Sequence, residues 1–76
     1  MSYVPTPEKL VSLDYHQTAS YPNGTTRWLC MEWGYIIVVR PDGVVRLRGP
    51  ELGGADVRLR LPSEQFFDEL LTAIDW

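Results

Sequence analysis

Two copies of one turn constrain this chain more than any other feature. Tyr21-Pro22-Asn23-Gly24-Thr25 and Arg40-Pro41-Asp42-Gly43-Val44 share a Pro-Asx-Gly core, and each sits between β-rich runs. Proline presets φ at the first turn position and Asn or Asp suits the second. Glycine then supplies the positive φ that closes a hairpin through a bulge. The repeated turn predicts an antiparallel meander.

Each turn also predicts a register. In the second hairpin Val39 faces Val45, Val38 faces Arg46, Ile37 faces Leu47 and Ile36 faces Arg48. Because side chains alternate between faces, one face carries Ile37, Val39, Val45 and Leu47. The other carries Ile36, Val38, Arg46 and Arg48. The same rule in the first hairpin sets Tyr21 against Thr25, Thr18 against Trp28 and His16 against Cys30. Trp33-Gly34 joins the hairpins. A two-residue turn there brings Trp28 and Cys30 beside Val39 and Ile37, with Arg27 opposite Arg40, whereas a bulge at Gly34 exchanges the faces.

Residues 49–54 read as a loop, followed by the alternating run Asp56-Val57-Arg58-Leu59-Arg60-Leu61, with Val57, Leu59 and Leu61 inward. Pro62 ends that strand for want of an N–H. Ser63 is a good N-cap and Glu64 suits the first helical turn. Phe66, Phe67, Leu70, Leu71 and Ile74 then share a stripe at helical spacing, with acidic residues opposite. Near the start, Thr6-Pro7-Glu8 opens a short helix that ends near Leu13. The expected fold class is α+β: a single domain over 1–76, with a four- to five-stranded antiparallel β-meander and a C-terminal amphipathic helix packed on one face.

At 76 residues, such a domain buries only about 60% of its unfolded surface. Most of its nine aromatic rings are therefore needed in the core, though one or two could anchor an interface. One helix covers one sheet face. The second face, with Ile36 and Val38, is too apolar to stand in water. Its cover is either the N-terminal segment with Tyr3, Val4, Leu10, Val11 and Leu13, or another chain.

The net charge of −3 is unevenly spread: residues 40–60 carry +2 and residues 61–76 carry −4. Arg46 and Arg48 share a face on one strand, and Arg58 and Arg60 on the next. If the strands pair with both sets outward, four guanidinium groups converge within about 10 Å. Such groups hold carboxylate or phosphate bidentately. They also serve as a solvated edge that deters strand pairing. An acidic protein partner ranks above nucleic acid, because the chain is acidic overall and has one lysine. The acidic helix face with Glu64, Asp68 and Glu69 is either solubilising or a mimic of an acidic polymer.

Other chemistries find little support. Cys30 is the only cysteine, which leaves no intramolecular disulfide and no Cys/His cluster for zinc. His16 opposite Cys30 is a possible thiol–imidazole pair, with Asp14 as a third group. A nucleophilic pair needs an oxyanion site too, and a packed, half-buried pair is the simpler reading. Gly49, Gly53 and Gly54 form no phosphate-binding motif. No cofactor is expected.

No apolar run approaches the ~20 residues that span a bilayer, and Met1–Pro7 lacks the marks of a leader. These point to a reducing, cytoplasmic setting. By elimination the expectation is a small non-enzymatic protein-binding module, an inhibitor or regulator of a larger protein. Inhibitor, immunity and phage anti-defence proteins are analogies of size and acidity only. The partner-binding surface would combine Ile36 and Val38 with Arg46, Arg48, Arg58 and Arg60. Alternatives are a homodimeric structural subunit and nucleic-acid binding through the arginines.

Overall fold

The computed structural model describes residues 3–32, 34–49 and 56–74, with the backbone alone at Ile74. Expectations that concern Trp33, the loop residues 50–55, the Ile74 side chain, Asp75 and Trp76 lie outside the described residues. The elements run α1 (Pro7–Ser12), β1 (His16–Ser20), β2 (Thr26–Cys30), β3 (Tyr35–Val39), β4 (Val44–Arg48), β5 (Val57–Arg60) and α2 (Glu64–Ile74). The strands form one antiparallel sheet in sequence order, as the twin turns predict.

The two turns are built alike. Gly24 N–H donates to the Tyr21 carbonyl and Gly43 N–H to the Arg40 carbonyl, at 3.0 and 3.1 Å. The side-chain oxygen of Asn23 accepts from Thr25 N–H, and that of Asp42 from Val44 N–H. The glycines sit at φ 93° and 91°, a region that costs other L-residues steric strain.

The β3–β4 register matches the expected one at all four pairs. Two others differ. Between β1 and β2 the pairing slips at Thr18, so Gln17 faces Trp28 and His16 faces Leu29. The extra residue is a β-bulge, and its hydroxyl donates to the Arg27 carbonyl at 3.3 Å. β2 ends at Cys30 and β3 begins at Tyr35, and their pairing is not that of a two-residue turn. Gly34 lies at φ 74° and its N–H donates to the Cys30 carbonyl. Trp28 therefore faces Ile37, and Arg27 faces Val38 rather than Arg40. The slip of two residues keeps Trp28 and Cys30 on the Ile37 face.

The core gathers on that face. Trp28, Cys30, Tyr35, Ile37, Val39, Val45 and Leu47 are buried, and so are Leu61, Phe67 and Leu71 from the C-terminal part. Ser63 caps α2 by accepting from Phe66 N–H at 3.1 Å. Phe67 and Leu71 enter the core cluster with Leu70 against it, whereas Phe66 is 40% exposed. The inward stripe is thus narrower than the expected one. Val57, expected inward, lies opposite buried Leu47 but remains 38% exposed at the start of the edge strand β5.

The N-terminal segment joins the same side. Leu10 and Tyr15 are in the core cluster, and the rings of Tyr3 and Phe67 lie 6.0 Å apart. Tyr3 N–H donates to the Leu61 carbonyl. Lys9 bridges Asp68 at 2.8 Å and Glu64 at 3.1 Å. These two carboxylates raise its pKa above the usual lysine value. Glu64 and Asp68 would repel each other as an i,i+4 pair, and Lys9 resolves that. The N-terminal segment therefore does not cover the Ile36–Val38 face.

The end of α1 explains Asp14. Leu13 is the C-cap. Asp14 N–H donates to the Val11 carbonyl and Tyr15 N–H to the Leu10 carbonyl, the paired bonds of a Schellman motif. Asp14 occupies its left-handed position at φ 66°, where glycine is preferred. Asp14→Gly is expected to stabilise the domain by about 0.5–1 kcal/mol. Thermal unfolding followed by circular dichroism checks this. A lowered midpoint contradicts the capping account.

Candidate functional site

The register places every arginine of the chain on one face. Arg27 on β2, Arg46 and Arg48 on β4, and Arg58 and Arg60 on β5 share it with Leu29, Ile36, Val38 and Val44. Arg40 continues the same alternation at the end of β3. Asp42 pairs with Arg40 at 2.9 Å, and Asp56 pairs with Arg46. Six arginines against these two carboxylates leave this face at +4. With −3 overall, the rest of the sequence carries −7. The one lysine, Lys9, is on the other side, between the two helices.

This face is concave. A cavity of about 290 Å³ is lined by Arg27, Arg46, Arg48 and Asp56 around Ile36 and Val38. Tyr21 and Thr25, from the first Pro-Asx-Gly turn, line it as well. The two turns stand side by side, since a β-carbon on Gly24 would meet Pro41 at 3.6 Å. Ile36, Val38 and Leu29 are half-buried, partly shielded by the arginine stems. Both helices lie on the opposite side of the sheet, with the core cluster.

The six residues expected to form a partner surface all fall on this face, yet they do not converge equally. Arg46 faces Arg58 directly, and Arg60 faces Val44. Arg48 and Arg60 are thus four residues apart along the strands, about 13 Å. The four guanidinium groups form a row rather than the expected 10 Å cluster. Arg60 donates to the Asp42 carbonyl and braces the second turn. Ile36, Val38, Arg46 and Arg48 line the concavity, while Arg58 and Arg60 extend its rim along β5.

Arg46 holds two opposite conditions at once. Its Nη2 binds Asp56, whereas its Nε is buried and finds no acceptor among the described residues. The Arg46 guanidinium, with Arg48 and Arg58 near it, holds the Asp56 carboxyl below its ordinary pKa. Arg27, Arg48 and Arg58 make no side-chain ion pair or hydrogen bond among the described residues.

Sequence reasoning missed Arg27, Tyr21, Thr25 and Asp56 as lining residues. The parity of the first turn was the available signal, because it puts Tyr21, Thr25 and Arg27 on one face. The thiol–imidazole pair is not formed. The bulge at Thr18 sets exposed His16 against Leu29, on the arginine face, whereas Cys30 is buried opposite Tyr35. Asp14, the expected third group, serves the end of α1.

Among the described residues no group of three or more His, Cys, Asp and Glu is placed to hold a metal ion. No described helix is long and apolar enough to cross a membrane. No protein-family model, curated protein or solved structure matches this chain.

Proposed function

We propose, from this surface alone, that the chain is a small protein-binding module that docks through its arginine face and thereby inhibits or regulates a larger protein. The observation that carries this reading is the gathering of all six arginines on one face, three of them lining a concavity with an apolar floor. An apolar centre with a charged rim is the usual anatomy of a protein interface.

Charge and aromatic content weigh against the alternatives. Five strands of about five residues give a face of roughly 400 Å². A symmetric dimer through this face would set +4 against +4 over that small area, which like-charge repulsion opposes. Single-stranded nucleic acid needs aromatic platforms for its bases. The described face offers Tyr21 alone, because Trp28 and Tyr35 are buried on the other side.

The test is affinity capture from nuclease-treated host lysate, followed by arginine-specific dicarbonyl labelling of the complex, read by mass spectrometry. Arg27, Arg48 and Arg58 are expected to lose reactivity relative to the free protein, while amine labelling at Lys9 is unchanged. Protection of Lys9 with fully reactive arginines overturns the proposal. Capture that nuclease abolishes points to nucleic acid, and protection in the isolated protein on concentration points to the dimer.

A further inference from the structure

We infer that the concavity takes a carboxylate side chain from an acidic segment of the partner, which displaces Asp56 from Arg46 and lays a neighbouring apolar side chain on Ile36 and Val38. This rests on the reading that the face docks a protein, and it names the chemistry of the occupant.

Asp56 already shows what the arginines accept. It is a carboxylate held on the rim by the guanidinium of Arg46. It meets the group at Nη2, and the buried Nε has no acceptor among the described residues. A guanidinium presents Nε and one Nη in a fork that matches two carboxylate oxygens. A buried donor left unpaired is destabilising, the more so when charged. The pairing is therefore incomplete, and a carboxylate that takes the place of Asp56 can span Nη2 and Nε once the Arg46 side chain turns to uncover Nε. Arg27 and Arg48, unpaired on the same rim, offer further donors.

The surroundings select a short acidic segment over an extended polyanion. Fields on a protein surface are screened within about 8 Å at physiological salt. A carboxylate in the concavity therefore feels chiefly its lining charges, Arg27, Arg46 and Arg48 against Asp56. A long polyanion also meets the acidic remainder of the chain. The floor of Ile36 and Val38 suits an apolar side chain next to the acid, a feature nucleic acid lacks.

Asp56 and the partner cannot hold Arg46 together, so Asp56 lowers the competent fraction of the free protein. Apparent affinity falls in proportion to that fraction. The probe is a blocked hexapeptide alternating glutamate and leucine, titrated while the arginine Nε–H signals are followed by 15N NMR. Asp56→Asn is expected to tighten peptide binding about tenfold, corresponding to an Arg46 site that is open about a tenth of the time. Asp56→Ala should reproduce the gain without an amide oxygen to replace the carboxylate.

Asp42→Asn is the charge-matched control. It removes the same charge from the same face, and Asn23 in the twin turn shows that asparagine fits. It should tighten binding by twofold or less. Equal gains from the two substitutions would mean that general electrostatics acts, which overturns displacement of Asp56 and leaves the docking face standing. Oligothymidylate of matched charge that shifts the Arg46 signal, with peptide inert in every variant, overturns both the carboxylate occupant and the protein-docking reading.

Discussion

Gly49→Ala is expected to cost about 3 kcal/mol, the upper end for an overpacked core, and to lower the melting temperature by about 12–24 °C. A β-carbon at residue 49 would lie 2.0 and 2.2 Å from two ring carbons of Tyr35. Residue 35 opens β3 and residue 49 follows β4 directly across from it, so the ring lies over glycine backbone. Tyr35 is 3% exposed, which leaves the ring no solvent-side rotamer to move into. A domain of this length has a total stability of only about 4–11 kcal/mol, so one methyl group removes a large part of it. Pairing Gly49→Ala with Tyr35→Val separates this clash from any effect on the following loop. If the ring is the obstacle, the double variant loses less than the sum of the single losses. A single Gly49→Ala variant that melts within about 3 °C of the parent contradicts the packing account.

That glycine marks where the sequence was hardest to read. Residues 49–54 read as a loop because Gly49, Pro50, Gly53 and Gly54 cluster there. At Gly49 the need is for close packing: an aromatic ring from a neighbouring strand lies over it, a device known to protect glycines in sheets. Nothing within five residues of Gly49 announces Tyr35. The bulge at Thr18 was hidden for a similar reason. It carries neither glycine nor proline, and an ordinary β-residue was simply absorbed as an extra position.

Local chemistry was more legible. The Pro-Asx-Gly turns carried the β3–β4 pairing residue by residue, because proline, the Asx oxygen and a positive-φ glycine all act within five positions. Strict alternation in 57–61 marked a strand with Arg58 and Arg60 on one face and left its register on β4 open. Ser63 and Thr6 marked two helix starts through hydrogen bonds to amides three residues on. The side of the sheet taken by the N-terminal helix was not legible. Leu10 and Val11 are both apolar, and only packing decides that Leu10 is buried while Val11 is 61% exposed.

The candidate surface was legible in outline for the same reason as the turns. Register put Ile36 and Val38 beside Arg46 and Arg48 before any packing was known. Arg27 joined only through the loop after Cys30, whose length the sequence left open between two alternatives. The pair between Asp56 and Arg46 depends on side-chain geometry across β4 and β5, which alternation alone does not express.

Reversing two charges at the centre of this surface is expected to abolish docking. Arg46→Glu with Arg48→Glu moves the face from +4 to neutral and places two carboxylates beside the apolar floor on which the proposed acidic partner would dock. Like charges brought together in an interface cost several kcal/mol, so binding should weaken at least a hundredfold. The fold should persist. Arg46 faces Arg58, an unfavourable like-charged pair, and Glu at 46 would face Arg58 as an opposite charge in place of the lost Asp56 bridge. Side chains on this face also stand apart from the core cluster. The most direct measurement is a titration of the captured partner with the parent and the doubly reversed protein, each first shown by thermal unfolding to be folded. The account predicts a melting temperature within about 5 °C of the parent, roughly 1 kcal/mol for a domain of this size, with affinity reduced at least a hundredfold. A folded double variant that binds within threefold of the parent would place the working surface elsewhere.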